Sequence, residues 1–83
     1  MMTLVEYKKQ FGKLPNNKDC ETMSKKFIKA MKAGLISTSE LVEGFGEDWT
    51  EYLLKYNTET EEYERCSVIR DALYEYRITK ELL

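Results

Sequence analysis

The segment GFGEDW at positions 44–49 combines a Gly-x-Gly pattern with a predicted helix start, an arrangement that could hold a phosphate group. Phosphate loops work because glycine backbone N–H groups and the positive end of a helix meet the anion, usually with a supporting lysine or threonine. Here a glutamate and an aspartate follow the glycines, and they would repel a phosphate at that end of the helix. We therefore interpret the glycines as turn residues: Gly44 ends one helix, Gly46 begins the next, and Phe45 enters the core.

The remaining residue types offer little for catalysis or metal binding. The chain has no histidine, which removes the commonest general base and zinc ligand. Cys20 and Cys66 cannot close a tetrahedral site alone, and both fall on apolar stripes, so we expect reduced core thiols. The acid pairs 47–48 and 61–62 lie at predicted helix starts, where they complement the helix dipole. The sequence thus predicts a protein without catalytic residues, metal or cofactor.

Length and composition indicate one small domain. The chain has 83 residues, of which 42% are hydrophobic and 34% charged, a balance typical of a folded soluble protein. No apolar run approaches the roughly 20 residues needed to cross a bilayer, and the N-terminus lacks the features of a signal peptide. We expect a single helical domain over residues 1–83, in the cytoplasm and not in a membrane.

The candidate functional residues lie on segments that are predicted to be helices. Three patterns of a serine or threonine followed three positions later by glutamate predict helix starts, at residues 3–6, 37–40 and 58–61. Apolar spacing predicts five helices, at about 4–11, 18–33, 38–43, 47–57 and 59–82. No segment has the alternating pattern of a strand. The predicted fold class is all-α, a small compact bundle of four to five helices.

Apolar residues at spacings of three and four predict the core. The expected buried positions are Leu4, Tyr7 and Phe11 on the first helix; Cys20, Met23, Phe27, Ala30 and Met31 on the second; Trp49, Tyr52, Leu53 and Tyr56 on the fourth; and Cys66, Ile69, Leu73 and Tyr76 on the fifth. Gly34 is expected to end the second helix in a left-handed conformation, with Leu35 folding back onto its last turn.

Charge is divided unevenly along the chain, whose net charge is −2. Residues 1–34 carry a net charge of +5, and residues 35–83 carry −7. On the second helix the lysines opposite the apolar stripe form one face: Lys18, Lys25, Lys29 and Lys32. This face is either simply solvated or a surface that steers phosphates or an acidic partner, for which Lys25, Lys29 and Lys32 are the candidates.

The two helices around Gly34 are arranged like a helix-turn-helix, the commonest DNA-reading motif. The second of them is short, lacks arginine and exposes Glu40 and Glu43, which have the wrong sign beside a DNA backbone. We therefore do not interpret this pair as a duplex-binding unit.

The fifth helix has a second stripe besides its core stripe. Tyr63, Ser67, Arg70, Tyr74 and Ile78 recur at three and four residues, and tyrosine with arginine is the composition of binding surfaces. The alternative is that the tyrosines cover another edge of the core with their hydroxyls in water.

These patterns favour a small non-enzymatic regulator or inhibitor that binds another protein, or itself as a homo-oligomer, through Tyr63, Arg70, Tyr74 and Ile78. The alternative is an oligomeric nucleotide or nucleic-acid binder that uses the lysine face and this stripe. No motif fits a known family residue for residue. In type, however, a small, acidic, histidine-free and tyrosine-rich helical chain resembles many phage-encoded inhibitors and small regulators, a resemblance that implies no site residues.

Overall fold

The computed structural model describes residues 3–82, which form five helices and no strand. Their bounds are α1 Leu4–Phe11, α2 Asn17–Ala33, α3 Thr38–Phe45, α4 Glu47–Glu59 and α5 Tyr63–Leu82. The described residues pack into a body of 35 × 27 × 21 Å, with α5 against α2, α3 and α4. The all-α bundle predicted from the sequence is confirmed.

Side chains that cap backbone donors fix most helix starts. The Thr3 hydroxyl accepts from the Glu6 N–H at 3.2 Å and opens α1, and Ser37 does the same for Glu40 at 3.1 Å. The Asn16 side chain caps α2, a start that the sequence placed one residue late. The second helix ends at Gly34 with φ 64°, in the left-handed conformation expected of a terminal glycine.

The boundary between α4 and α5 differs from the prediction. Thr58 lies inside α4, where its hydroxyl donates to the Leu54 carbonyl at 2.8 Å instead of capping a new helix. The fourth helix continues through the fully buried Asn57 and ends at Glu59. The turn then passes through Glu61 at φ 60°, and α5 begins at Tyr63. The third pattern was therefore wrong as a helix start.

The turn between α3 and α4 uses one glycine where the sequence suggested two. Gly44 is helical, and Gly46 alone, at φ 98°, both ends α3 and begins α4. A Cβ on Gly46 would lie 3.0 Å from an Asp48 carboxylate oxygen. Both the positive φ and this close contact therefore favour glycine at position 46. Phe45 is buried as expected. Leu35 is 88% exposed, so the expected packing onto α2 was wrong.

Aromatic and aliphatic side chains from four helices form the core. Phe27 is fully buried and meets Phe45 edge to face, with ring centroids 5.1 Å apart. Leu53, Ile69 and Leu73 are buried around this pair, as the apolar spacing predicted. The first helix contributes no buried residue, and Phe11, which we expected in the core, is 52% exposed. The remaining expected positions are at least partly buried.

A polar pair lies within this apolar core. Asn57 on α4 donates to the Ser24 hydroxyl on α2 at 2.9 Å and to the Leu53 carbonyl at 2.7 Å. Both side chains are fully buried. Since a buried donor without a partner costs free energy, this bond favours one alignment of α2 on α4.

The two cysteines are expected to differ in reactivity. Cys20 is buried, and burial together with nearby Asp19 raises its pKa to about 11, so little thiolate forms at neutral pH. Cys66 is half-buried, with its sulfur 3.5 Å from the Thr58 hydroxyl. The sequence had suggested that Cys66 lies fully in the core.

Mass spectrometry of native protein treated with a thiol reagent should show Cys66 modified well before Cys20. Equal rapid labelling would contradict the placement of α2.

Candidate functional site

The residues predicted to bind a partner lie together on α5, on the side away from Ile69 and Leu73. We call Tyr63, Arg70, Tyr74 and Ile78 the α5 outer face. The exposed fractions are 63% for Tyr63, 67% for Tyr74 and 42% for Ile78. The tyrosines therefore do not cover a second core edge, which was the alternative interpretation of this stripe.

Arg70 differs from the other two arginines of α5 in how it is held. Arg65 donates to Glu21 at 2.8 Å, and Arg77 donates to Glu47 at 3.0 Å and also pairs with Glu51. The ion partner of Arg70 among residues 3–82 is its neighbour Asp71 at 3.5 Å, and both side chains are largely exposed. Such pairs contribute little, so the Arg70 guanidinium remains available to another surface.

Glu21 joins three helices at one carboxylate. It accepts from Arg65 of α5 at 2.8 Å and from the Tyr56 hydroxyl of α4 at 3.0 Å, and Lys25 lies 3.6 Å away. The Arg65 bond and, to a smaller extent, the Tyr56 bond lower the pKa of Glu21 to about 2. No sequence pattern predicted this cluster, because Tyr56 and Arg65 lie 35 and 44 positions after Glu21 in the chain.

The depressed pKa of Glu21 predicts a loss of stability in acid. A carboxyl group that is more acidic when folded stabilises the protein above its ordinary pKa, and this contribution disappears as pH falls toward the folded value. Because about a third of the Glu21 side chain is exposed, we expect only about 1 kcal/mol after solvent screening. Urea unfolding of wild type and Glu21→Gln should differ by this amount at pH 7 and converge near pH 2. A difference independent of pH would contradict the assignment.

The predicted lysine face borders a groove between α2 and α5. Lys25, Lys29 and Lys32 line one side of this cavity of about 520 Å³, with Ile28 and Val68 also in its lining. We call it the lysine groove. Among the ion pairs of residues 3–82, neither Lys29 nor Lys32 takes part.

Two carboxylates that the sequence did not place near the lysines also line this groove. Glu62 immediately precedes α5 and Glu64 lies in its first turn, with Arg65 beside them. The fourth predicted lysine, Lys18, borders a separate cavity near α1. The groove therefore presents both signs of charge, which makes it less suited to a phosphate than the lysine face alone suggested.

Another cavity, of about 700 Å³, lies between α3 and α5. Its lining includes Glu43, Gly44, Tyr76 and Lys80, and the Tyr76 hydroxyl donates to Glu43 at 2.9 Å. That hydrogen bond to a carboxylate raises the pKa of Tyr76. A side chain at Gly44 would point into open space. No sequence pattern predicted this cavity, because its lining residues come together only when α3 packs against α5.

The described part of the chain offers no evident metal centre, since residues 3–82 contain no group of three or more potential ligands. Within the same range, no helix has the length and apolar character needed to cross a membrane. Comparison with protein-family models, curated proteins and solved structures gave no match. The function of this chain must therefore be inferred from its helical bundle and from the surfaces that the bundle exposes.

Proposed function

We propose that this chain acts by binding another protein, or a second copy of itself, through the α5 outer face and performs no chemistry itself. The observation that supports this proposal is the exposure of Tyr63 and Tyr74 on the same face as Arg70. Tyrosine and arginine dominate binding energy at protein interfaces, because each offers a large contact area with a polar group at its end. Two tyrosines and an isoleucine exposed on one helix face form the kind of apolar surface that a partner can cover.

A protein of this size can act by covering a functional surface of its partner. We therefore propose that it is a regulator or inhibitor that works in the cytoplasm, similar in type to small phage-encoded proteins. The chain has no histidine, and Glu21, Glu47 and Glu51 are held in ion pairs with arginines, which supports a binding role over a catalytic one.

The lysine groove supports a second candidate function. Its three lysines could receive an anionic ligand such as a nucleotide or nucleic acid. Glu62 and Glu64 in the same groove weaken this candidate, because they would lie close to the bound phosphates. Salt distinguishes the two functions, since phosphate binding weakens steeply with ionic strength whereas burial of tyrosines does not.

Affinity capture with matched variants tests the proposal. Tagged wild type, Arg70→Ala/Tyr74→Ala and Lys25→Gln/Lys29→Gln/Lys32→Gln would be produced in native host cells, and captured proteins quantified by mass spectrometry. We expect the α5 variant to lose the captured protein and the lysine variant to retain it, with slower association and a flatter salt dependence because the lysines only steer. Circular dichroism should show equal helix content in all three. Retention by the α5 variant would overturn the proposal.

A further inference from the structure

The α5 outer face runs along nearly the whole molecule. Helix α5 has 20 residues and therefore spans about 30 Å at 1.5 Å per residue, close to the 35 Å longest dimension of the described residues. Arg70 and Tyr74 are four positions apart, so they are neighbours on this face near the middle of the helix. Tyr63 and Glu81 project in the same direction near its two ends, and both are exposed.

When two copies of α5 run antiparallel, these four residues of one copy lie opposite matching residues of the other. With the two-fold axis level with Ala72, Arg70 of one copy lies opposite Tyr74 of the other, and Tyr63 opposite Glu81. Each contact occurs twice, as in any isologous interface. The guanidinium can stack on the tyrosine ring, and the Tyr63 hydroxyl can donate to the Glu81 carboxylate. A parallel arrangement would instead place Arg70 against Arg70 and lose both pairings.

The available area limits how tight such a dimer can be. Tyrosines bury about 150–250 Å² each when covered, and about two-thirds of Tyr63 and Tyr74 is still exposed. With Arg70, Ile78 and, beside the face, the 82% exposed Leu82, this side of α5 offers on the order of 500–600 Å² per copy, below the roughly 800 Å² of a standard interface. This area corresponds to a weak, concentration-dependent dimer.

We propose that the partner of the α5 outer face is a second copy of this chain, paired antiparallel with Arg70 on Tyr74 and Tyr63 on Glu81. The inference rests on the proposed function, because it uses the same face. It assigns the occupant by complementarity of charge and aromatic surface about a two-fold axis.

Sedimentation velocity of purified protein under reducing conditions, from micromolar to millimolar concentration, tests the pairing. Wild type should form dimers with a dissociation constant in the micromolar range. Arg70→Glu should weaken dimerisation at least tenfold, as should Tyr74→Arg. The double variant Arg70→Glu/Tyr74→Arg should recover most of the loss, because positions 70 and 74 face each other across the axis. Lys55→Glu, on exposed α4 surface, makes the same change in charge as Arg70→Glu and should leave the dimer intact.

A wild type that stays monomeric throughout, or a double variant no better than either single variant, would overturn the antiparallel pairing. The proposed function fails by a different result. If the chain is monomeric but Arg70→Ala/Tyr74→Ala loses a captured host protein, the face binds a different partner and only the self-pairing is overturned. If the chain is monomeric and that variant still captures the same protein, the α5 outer face binds neither a second copy nor the captured protein.

Discussion

Phe27→Ala is expected to remove most of the protein's stability at 25 °C, leaving about 0–2 kcal/mol. The ring is fully buried and packs edge to face on Phe45 at 5.1 Å, where α2 meets α3. Removing a buried phenylalanine costs about 3–5 kcal/mol, which combines lost burial with the cavity left behind. A chain of this size has a total stability near the lower end of the usual range, about 5 kcal/mol. Thermal unfolding followed by circular dichroism measures the effect.

Phe27→Leu is the control for this prediction. Leucine keeps most of the buried volume, so we expect a loss of about 1 kcal/mol and a cooperative transition a few degrees below that of wild type. If Phe27→Ala also melts cooperatively within a few degrees of wild type, the placement of the α2 stripe in the core is wrong.

Asn57→Asp should be the most damaging polar substitution. It puts a carboxylate at a fully buried position and removes the donors to the Ser24 hydroxyl and the Leu53 carbonyl. A buried unpaired charge beside two oxygen atoms should cost about 3–5 kcal/mol at pH 7. Burial raises the pKa of the introduced carboxyl, so the penalty relative to wild type should shrink as pH falls and the group gains a proton. Urea unfolding between pH 7 and pH 4 gives the difference.

Thr58→Asp provides a matched control, because it introduces the same group at the adjacent, exposed position. Near the C-terminal end of α4 it should cost only about 0.5 kcal/mol through the helix dipole. If the two variants lose equal amounts of free energy of unfolding, position 57 is not more buried than position 58.

The sequence predicted helices well wherever local chemistry sets their ends. Thr3, Ser37 and Gly34 act within three or four residues of their own position, so their roles can be inferred without tertiary structure. The boundary after α4 was missed because a distant contact decides it. Asn57 resembles a helix-terminating residue, but its bond to Ser24, 33 positions earlier, places it in the core and extends the helix.

The candidate site divides in the same way. The α5 outer face follows from the spacing of Tyr63, Arg70 and Tyr74 along one helix, and their exposure agrees with it. The content of the lysine groove could not be inferred, because Glu62 and Glu64 approach the lysines only after α5 packs on α2. The same holds for Arg65, whose partner Glu21 belongs to another helix.

The central claim is that the α5 outer face, and not the lysine face, carries the binding energy. Isothermal titration calorimetry of a purified captured partner against wild type, Arg70→Ala/Tyr74→Ala and Lys25→Gln/Lys29→Gln/Lys32→Gln tests it most directly. We predict that the α5 variant weakens binding at least a hundredfold, about 2.7 kcal/mol, while the lysine variant weakens it less than tenfold. If the lysine variant loses binding and the α5 variant retains it, the claim is contradicted and the chain is better explained as a binder of anionic ligands.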